Sequence, residues 1–218
     1  MGTKTALLVF GGGELRDGPA AFPVPDRAEM AALARAVHPG YGVEDAGERS
    51  LGDSLYPDDG LLFATRIGTT VILADRRFQR LSPTELPEHL REIAGDRRVV
   101  LHAMHSVVDA FSFAVWEQGR LVRAVSLSHG DGIVEDIGEP FPFERPYRDP
   151  LPFHPLELGE AALADLFPFD LLDVPMCGFR LVDPSGEEQA RRAALEALVS
   201  RMGSPKRYRL VDGELRPV

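Results

Sequence analysis

Two histidines and an aspartate lie close together within residues 99 to 117, which read VVLHAMHSVVDAFSFAVWE. His102, His105 and Asp109 stand between an apolar run and an aromatic-rich run. An imidazole that titrates near neutrality, placed beside a carboxylate, is suited to general-base catalysis. These three residues are therefore the candidate catalytic groups. The alternative is that His102 is partly buried in a sheet and that Asp109 caps a short turn.

Two further residues extend this set into a candidate metal site. His154 and Glu157 lie in the stretch FHPLELGEAAL. Imidazole and carboxylate groups are ligands of zinc and other divalent metals. The candidate ligands are His102, His105, His154 and Glu157. Their spacing matches no recognised zinc motif, so we expect either no cofactor or a divalent metal.

An acidic stretch, SHGDGIVEDIGE, offers a second set of oxygen ligands that includes Glu135. Carboxylates can bind a hard cation, but the pattern does not match an EF-hand loop. We expect a solvated loop here.

The elements around the histidines determine how they can meet. Val99, Val100 and Leu101 favour a strand that ends near His102, after which residues 105–109 must turn the chain. The next stretch, FSFAVWEQGRLVRAVSLS, predicts a hairpin that turns at Gln118-Gly119. Its alternating apolar residues are Phe111, Phe113 and Val115, with Leu121, Val125 and Leu127 along one face of the return strand.

The remaining patterns predict further strands and helices. Strands are expected at residues 5–10, on both sides of Ile67-Gly68, and in a last hairpin around Asp212-Gly213. Helices are expected after Asp26, with Glu29 completing a capping box, and over residues 82–94, 155–167 and 185–202. This order predicts one α+β domain over residues 1–218, in which about four helices pack on a mixed or mainly antiparallel sheet built from hairpins.

Composition limits the classes of partner. The 218 residues carry a net charge of -10 and are 44% hydrophobic, which suits a globular domain and argues against nucleic acid as a partner. A basic protein partner would fit such a surface. No apolar run is long enough to span a membrane, and the one cysteine, Cys177, favours a reducing compartment. We therefore expect a cytoplasmic protein, with its oligomeric state open.

Three blocks of sequence carry a resemblance: the start MGTKT, the block LHAMHSVVD with the residues that follow it, and LPFHPLELGEAAL. The chain resembles a bacterial domain-of-unknown-function family over nearly its whole length. It departs from that family at Gly11-Gly12-Gly13, where the family has an Asp-Gly. The resemblance implies a single cytoplasmic bacterial domain and carries no activity. The abundance of arginine over lysine also favours a bacterial genome of high GC content.

Two functions remain open from the sequence. The first is a non-catalytic protein-binding module, of the immunity or regulatory kind. It is favoured because no strong catalytic motif is present and because hairpin sheets offer edges for binding. The alternative is a metal-assisted hydrolase that uses a pocket of His102, His105, Asp109 and His154, with Glu135 or Glu157.

Overall fold

The computed structural model describes residues 4–11, 22–79, 82–148, 154–166, 173–186, 208–211 and 214–217. Contacts between Cα atoms divide the chain into two units, Met1–Val182 and Asp183–Val218. In the second unit, Tyr208–Val211 (β10) and Glu214–Pro217 (β11) form the predicted antiparallel hairpin. The helix predicted over 185–202 lies largely outside the described residues.

The first unit is built on a nine-stranded sheet, so the prediction of an α+β fold is confirmed. Every pair of neighbouring strands in it is antiparallel. The spatial order is β2-β9-β3-β4-β1-β5-β6-β7-β8. The strands are Lys4–Phe10 (β1), Gly42–Ser50 (β2), Leu61–Ile67 (β3), Thr70–Asp75 (β4), Val99–His105 (β5), Ala110–Glu117 (β6), Arg120–Ser128 (β7), Gly132–Ile137 (β8) and Pro175–Val182 (β9).

Hairpins account for only part of this sheet. Consecutive strands pair from β5 through β8 and between β3 and β4. The other neighbours are distant in sequence, as where β1 joins β4 to β5 and β9 joins β2 to β3. The prediction of a sheet built from hairpins is therefore only partly correct, because pairings between strands distant in sequence join the hairpins.

Helices cover both faces of the sheet. The α-helices in the described residues are Arg27–Val37 (α1), Glu88–Ala94 (α2) and Pro155–Leu166 (α3), with 3-10 turns at Gly52–Ser54, Arg76–Phe78, Pro83–Glu85 and Pro142–Tyr147. α1 and α2 pack on one face, here called the α1 face, and α3 packs with the 142–147 turn on the other, the α3 face. β1 shows the alternation, because Leu8 and Phe10 enter the core of the α1 face while Leu7 and Val9 enter that of the α3 face.

Local signals explain the ends of the helices. The Asp26 carboxylate accepts hydrogen bonds from the backbone N–H groups of Ala28 and Glu29, and so caps α1 as predicted. The Glu29 carboxylate forms an ion pair with Arg66. The expected 82–94 helix is a 3-10 turn followed by α2, which begins after Pro87 because proline supplies no backbone N–H.

The predicted hairpin of β6 and β7 is confirmed, with one change of face. Phe111, Phe113 and Val125 belong to the core of the α3 face. A bulge beside Val115 and Trp116 shifts the register, and Leu121 therefore packs against the α1 face.

Cys177 is fully buried, and this burial raises the pKa of its thiol.

Candidate functional site

His102 lies in the middle of β5, not at its end, because the strand continues to His105. It faces α3 and is fully buried. Its Nε2 lies 2.9 Å from the Gly159 carbonyl oxygen, and its Nδ1 lies 2.8 Å from the Thr5 hydroxyl oxygen. A carbonyl only accepts, so Nε2 carries the proton and Nδ1 accepts from Thr5 in the neutral ring. Burial lowers the pKa of His102 to about 4, which keeps the ring neutral.

Gly159 allows α3 to come close enough for this hydrogen bond. A Cβ on Gly159 would lie 2.6 Å from the Met104 sulfur and 3.0 Å from the Phe111 ring. Only glycine fits at this crossing without displacement of its neighbours. His102 thus holds α3 against β1 and β5, with both ring nitrogens engaged.

His105 lies on the opposite face of β5, because side chains three residues apart on a strand point to opposite sides. Its ring packs edge-on against Tyr56, with the ring centroids 5.5 Å apart. The Val107 backbone N–H points to its Nδ1 at 3.3 Å. Partial burial lowers the pKa of His105, and the positive charges of Lys4 and Arg76 lower it further.

Tyr56 is the centre of a half-buried cluster that the sequence did not reveal. The Tyr56 hydroxyl donates to the Gln79 side-chain oxygen at 2.6 Å and accepts from Arg76 Nε at 3.0 Å. Lys4 Nζ and Arg76 Cζ lie 5.5 and 4.9 Å from the centre of the Tyr56 ring. We call Lys4, Tyr56, Arg76, Gln79 and His105 the Tyr56 cluster. Its five members come from four separate segments of the chain, so no local spacing predicts it.

The other predicted site residues lie elsewhere. Asp109 is in the turn between β5 and β6 with a φ of 43°, and its carbonyl accepts from the His129 backbone N–H. His154 is exposed just before α3, and Glu157 is exposed in the first turn of that helix. Across the described residues, no three His, Cys, Asp or Glu side chains are grouped so that they could hold a metal ion. Metal binding by His102, His105, His154 and Glu157 stays a prediction.

The structure also contains a His–Asp pair that the sequence did not predict. His38 Nε2 lies 2.7 Å from Asp75 Oδ2, and the Asp75 side chain is 1% exposed. Asp75 ends β4 and its carboxylate also accepts from the Arg77 backbone N–H. The two partners are 37 residues apart, so only the tertiary structure brings them together.

Arg123 is a fully buried arginine between β7, β8 and the 142–147 turn. It donates two hydrogen bonds to the Glu144 carboxylate and one, at 2.6 Å, to Asp136. Its Nη1 also donates to the backbone carbonyls of Ile137 and Gly138. Arg148 binds Asp136 from the surface, and this bond, with that of Arg123, holds the pKa of the Asp136 carboxyl below its usual value. We call Arg123, Asp136, Glu144 and Arg148 the Arg123 clamp.

The clamp fixes a strand that sequence analysis treated as a loop. The acidic stretch forms β8, the outermost described strand on its side of the sheet. Its large apolar side chains Ile133, Val134 and Ile137 are 44%, 45% and 42% exposed, and Val122 of the neighbouring β7 is also exposed. We call β8 with these side chains the β8 edge. The sequence did not predict this strand, because its acidic residues interrupt the apolar pattern that indicates a strand.

The fold and site together define an α+β protein with a nine-stranded antiparallel sheet and an open apolar edge. A family model described as a family of unknown function (DUF6928) matches residues 5–184, and the chain belongs to this family. No curated protein and no solved structure matches the chain. Among the helices that the structure describes, none combines the length and apolar character that a membrane span needs.

Proposed function

We propose that the protein is a non-catalytic protein-binding module of the bacterial cytoplasm, and that its binding surface is the β8 edge. The observation that carries this proposal is the exposure of three large apolar side chains, Ile133, Val134 and Ile137, on an outermost strand. An outermost strand also presents backbone N–H and C=O groups that a further strand can pair with. Peptide recognition by strand addition uses these two features together.

The contrast with β2, the strand at the opposite edge, supports this choice. β2 reads GVEDAGERS, and its exposed side chains include Glu44, Asp45 and Glu48. Its pairing with β9 is interrupted between Asp45 and Glu48. Charges and bulges are the usual protection of an edge against pairing with other chains. β8 has a bulge of its own at Val134, opposite Ser126 and Leu127, but beside its acidic residues it exposes the large apolar side chains Ile133, Val134 and Ile137.

The Arg123 clamp prepares β8 for binding. The buried guanidinium holds Asp136 and the carbonyls of Ile137 and Gly138 at one end of the strand. A strand that is already ordered loses less conformational entropy when a partner binds. The clamp therefore supports binding without a rearrangement of the sheet.

The charge of the protein supports a basic partner. The protein carries a net charge of -10, and the exposed acidic residues Asp131 and Glu139 flank β8. An approaching basic segment is attracted to such a surface, and an acidic one is repelled. The occupant we propose is an extended segment of another protein in which apolar and basic residues alternate.

A synthetic strand tests this proposal. The probe is a peptide of about eight residues that alternates valine and lysine, a length typical of strands. We expect saturable binding in calorimetry, and loss of binding when alternate backbone nitrogens of the peptide are methylated. Val134→Lys should weaken binding by about tenfold or more. The matched control is Val24→Lys, because Val24 is 72% exposed and lies outside the sheet.

Three results would overturn the proposal. The first is equal binding by Val134→Lys and Val24→Lys. The second is equal binding of the methylated peptide, which would show charge attraction without strand pairing. The third is a dimer in sedimentation that Val134→Lys dissociates and to which the peptide does not bind, which would make the occupant a second copy. Ile137→Lys provides a second edge variant if Val134→Lys does not fold.

A further inference from the structure

A cavity lies beside the Tyr56 cluster, on strands β5 and β6. Its volume is about 150 Å³, and its lining includes Gln79, Ala103, Val108, Ala110, Phe111 and Ser112. Ala110 is the pairing partner of His105, and Ala103 is two residues from it on the same face of β5. Gln79 both lines the cavity and accepts the hydrogen bond of Tyr56. The cluster and the cavity are therefore adjacent parts of one surface.

The cluster is a local concentration of positive charge in an acidic protein. Lys4 and Arg76 both lie against the Tyr56 ring. The carboxylate paired with Arg76 is that of Asp59, 3.3 Å away and 68% exposed. Lys4 has no ion-pair partner among the described residues. Two cations on a half-buried aromatic ring, in a chain of net charge -10, create a local positive charge that can attract an anion, although Asp58 and Asp59 lie near Arg76.

His105 adds a further hydrogen-bond donor beside the two cations. Nδ1 of His105 faces the Val107 backbone N–H, so Nε2 carries the proton of the neutral ring. His105 lies between Lys4 and Ala110 in the sheet, which places it between the cations and the cavity. An anionic group held there can receive hydrogen bonds from Lys4 and His105 together.

The cavity sets the size and character of the rest of the ligand. Alanine and valine supply apolar lining on the His105 face, and Gln79 and Ser112 are polar. Drug-sized ligands occupy pockets of roughly 300–1,000 Å³, so this cavity takes a smaller molecule. An apolar cavity of about 150 Å³ engineered in another protein binds benzene, so a single aromatic ring is a suitable size.

We propose that the Tyr56 cluster and its cavity bind a small aromatic carboxylate, with the carboxylate at Lys4 and His105 and the ring in the cavity. This site is separate in its residues from the β8 edge and does not depend on protein binding there. Arg76 acts by holding the Tyr56 hydroxyl and by adding positive charge. Gln79 joins the two halves of the site.

Three probes separate the contributions of charge and cavity. They are benzoate, acetate and benzyl alcohol, titrated into the folded protein at constant ionic strength while the His105 ring protons are followed by NMR. We expect saturable shifts with benzoate, and binding weaker by about tenfold or more for acetate, which lacks the ring, and for benzyl alcohol, which lacks the charge. Equal binding of benzoate and acetate, or of benzoate and benzyl alcohol, would overturn the proposal.

Two variants test the residues. Lys4→Met keeps the aliphatic part of the side chain and removes the charge, so benzoate binding should weaken by about tenfold. Ala110→Leu should block the cavity while leaving Lys4 in place. The matched control is Arg35→Gln, because Arg35 is an exposed cation on α1 that is not a member of the Tyr56 cluster. Benzoate binding by Lys4→Met equal to that by the control would contradict the site, and melting curves establish that each variant is folded.

Discussion

At the residue scale, His102 is the histidine whose charge state affects folding most directly. It is fully buried, and its neutral ring joins Thr5 of β1 to Gly159 of α3. The pKa of the ring is about 4 in the folded protein and about 6.5 in an unfolded chain. The unfolded state therefore binds a proton first as the pH falls. The stability that His102 contributes is complete above pH 6.5 and decreases as the pH falls towards 4.

The difference in the pKa of His102 between the folded and unfolded states predicts how His102→Gln changes the pH dependence of stability. At neutral pH we expect the variant to be less stable, because it loses buried hydrogen bonds of about 1 kcal/mol each. Between about pH 6.5 and pH 5 the difference between the variant and the natural protein should narrow by about 2 kcal/mol, since only the natural protein has the depressed pKa. Urea unfolding at each pH measures this. A difference that does not change with pH would contradict the buried, neutral state of His102.

Phe113 tests the packing of the α3 face. Its side chain is fully buried and contacts the rings of Phe111, Phe141 and Phe143. Phe113→Ala should lower the free energy of unfolding by about 3–5 kcal/mol, because it removes a buried ring and leaves a cavity. Val107→Ala is the control, because Val107 is 73% exposed and should change stability by less than about 0.5 kcal/mol. Similar melting temperatures for the two variants would show that Phe113 is not a core residue.

At the scale of elements, the sequence predicted strands whose apolar residues alternate and missed those whose residues are exposed. β6 and β7 were predicted because both are apolar and a Gly follows the turn at Gln118. β2 and β8 are edge strands rich in acidic residues, and such residues resemble a loop when the neighbouring strand is unknown. The wrong prediction that the strand ends at His102 has the same origin, because only the pairing with β1 and β6 shows that β5 continues to His105.

The candidate sites were also only partly predictable from the sequence. The sequence drew attention to His105 and correctly placed a turn after it, but not to Tyr56, Arg76 or Gln79 beside it. Arg123 and Glu144 are 21 residues apart, and their pairing depends on where the 142–147 turn crosses the sheet. Long-range contacts of this kind leave no periodic signal in a single sequence.

The Arg123 clamp makes a prediction for the elements that it joins. Glu144→Gln leaves a buried guanidinium without its closest carboxylate, and breaking a buried ion pair in this way costs about 3–5 kcal/mol. We expect this loss in chemical unfolding, together with faster amide hydrogen exchange in the 142–147 turn. Glu139→Gln is the control, because Glu139 is an exposed carboxylate nearby in the chain. Equal stability of the two variants would show that the clamp does not hold the turn.

At the scale of the whole molecule, the two edges of the sheet differ in chemistry. Both edge strands contain a bulge, but β2 exposes mainly charged side chains, whereas the β8 edge exposes large apolar side chains. The net charge of -10 adds a long-range attraction for basic partners. On the proposed function, these features make β8 rather than β2 the edge to which a partner strand adds.

Amide hydrogen exchange, measured residue by residue with and without the alternating valine–lysine peptide, tests binding at the β8 edge most directly. A strand added to β8 gives hydrogen-bond partners to backbone N–H groups that otherwise face water. We predict slower exchange within residues 132–137 and unchanged exchange within 42–50. Peptide binding that leaves exchange in 132–137 unchanged, or that slows it in β2 instead, would contradict the β8 edge as the binding surface.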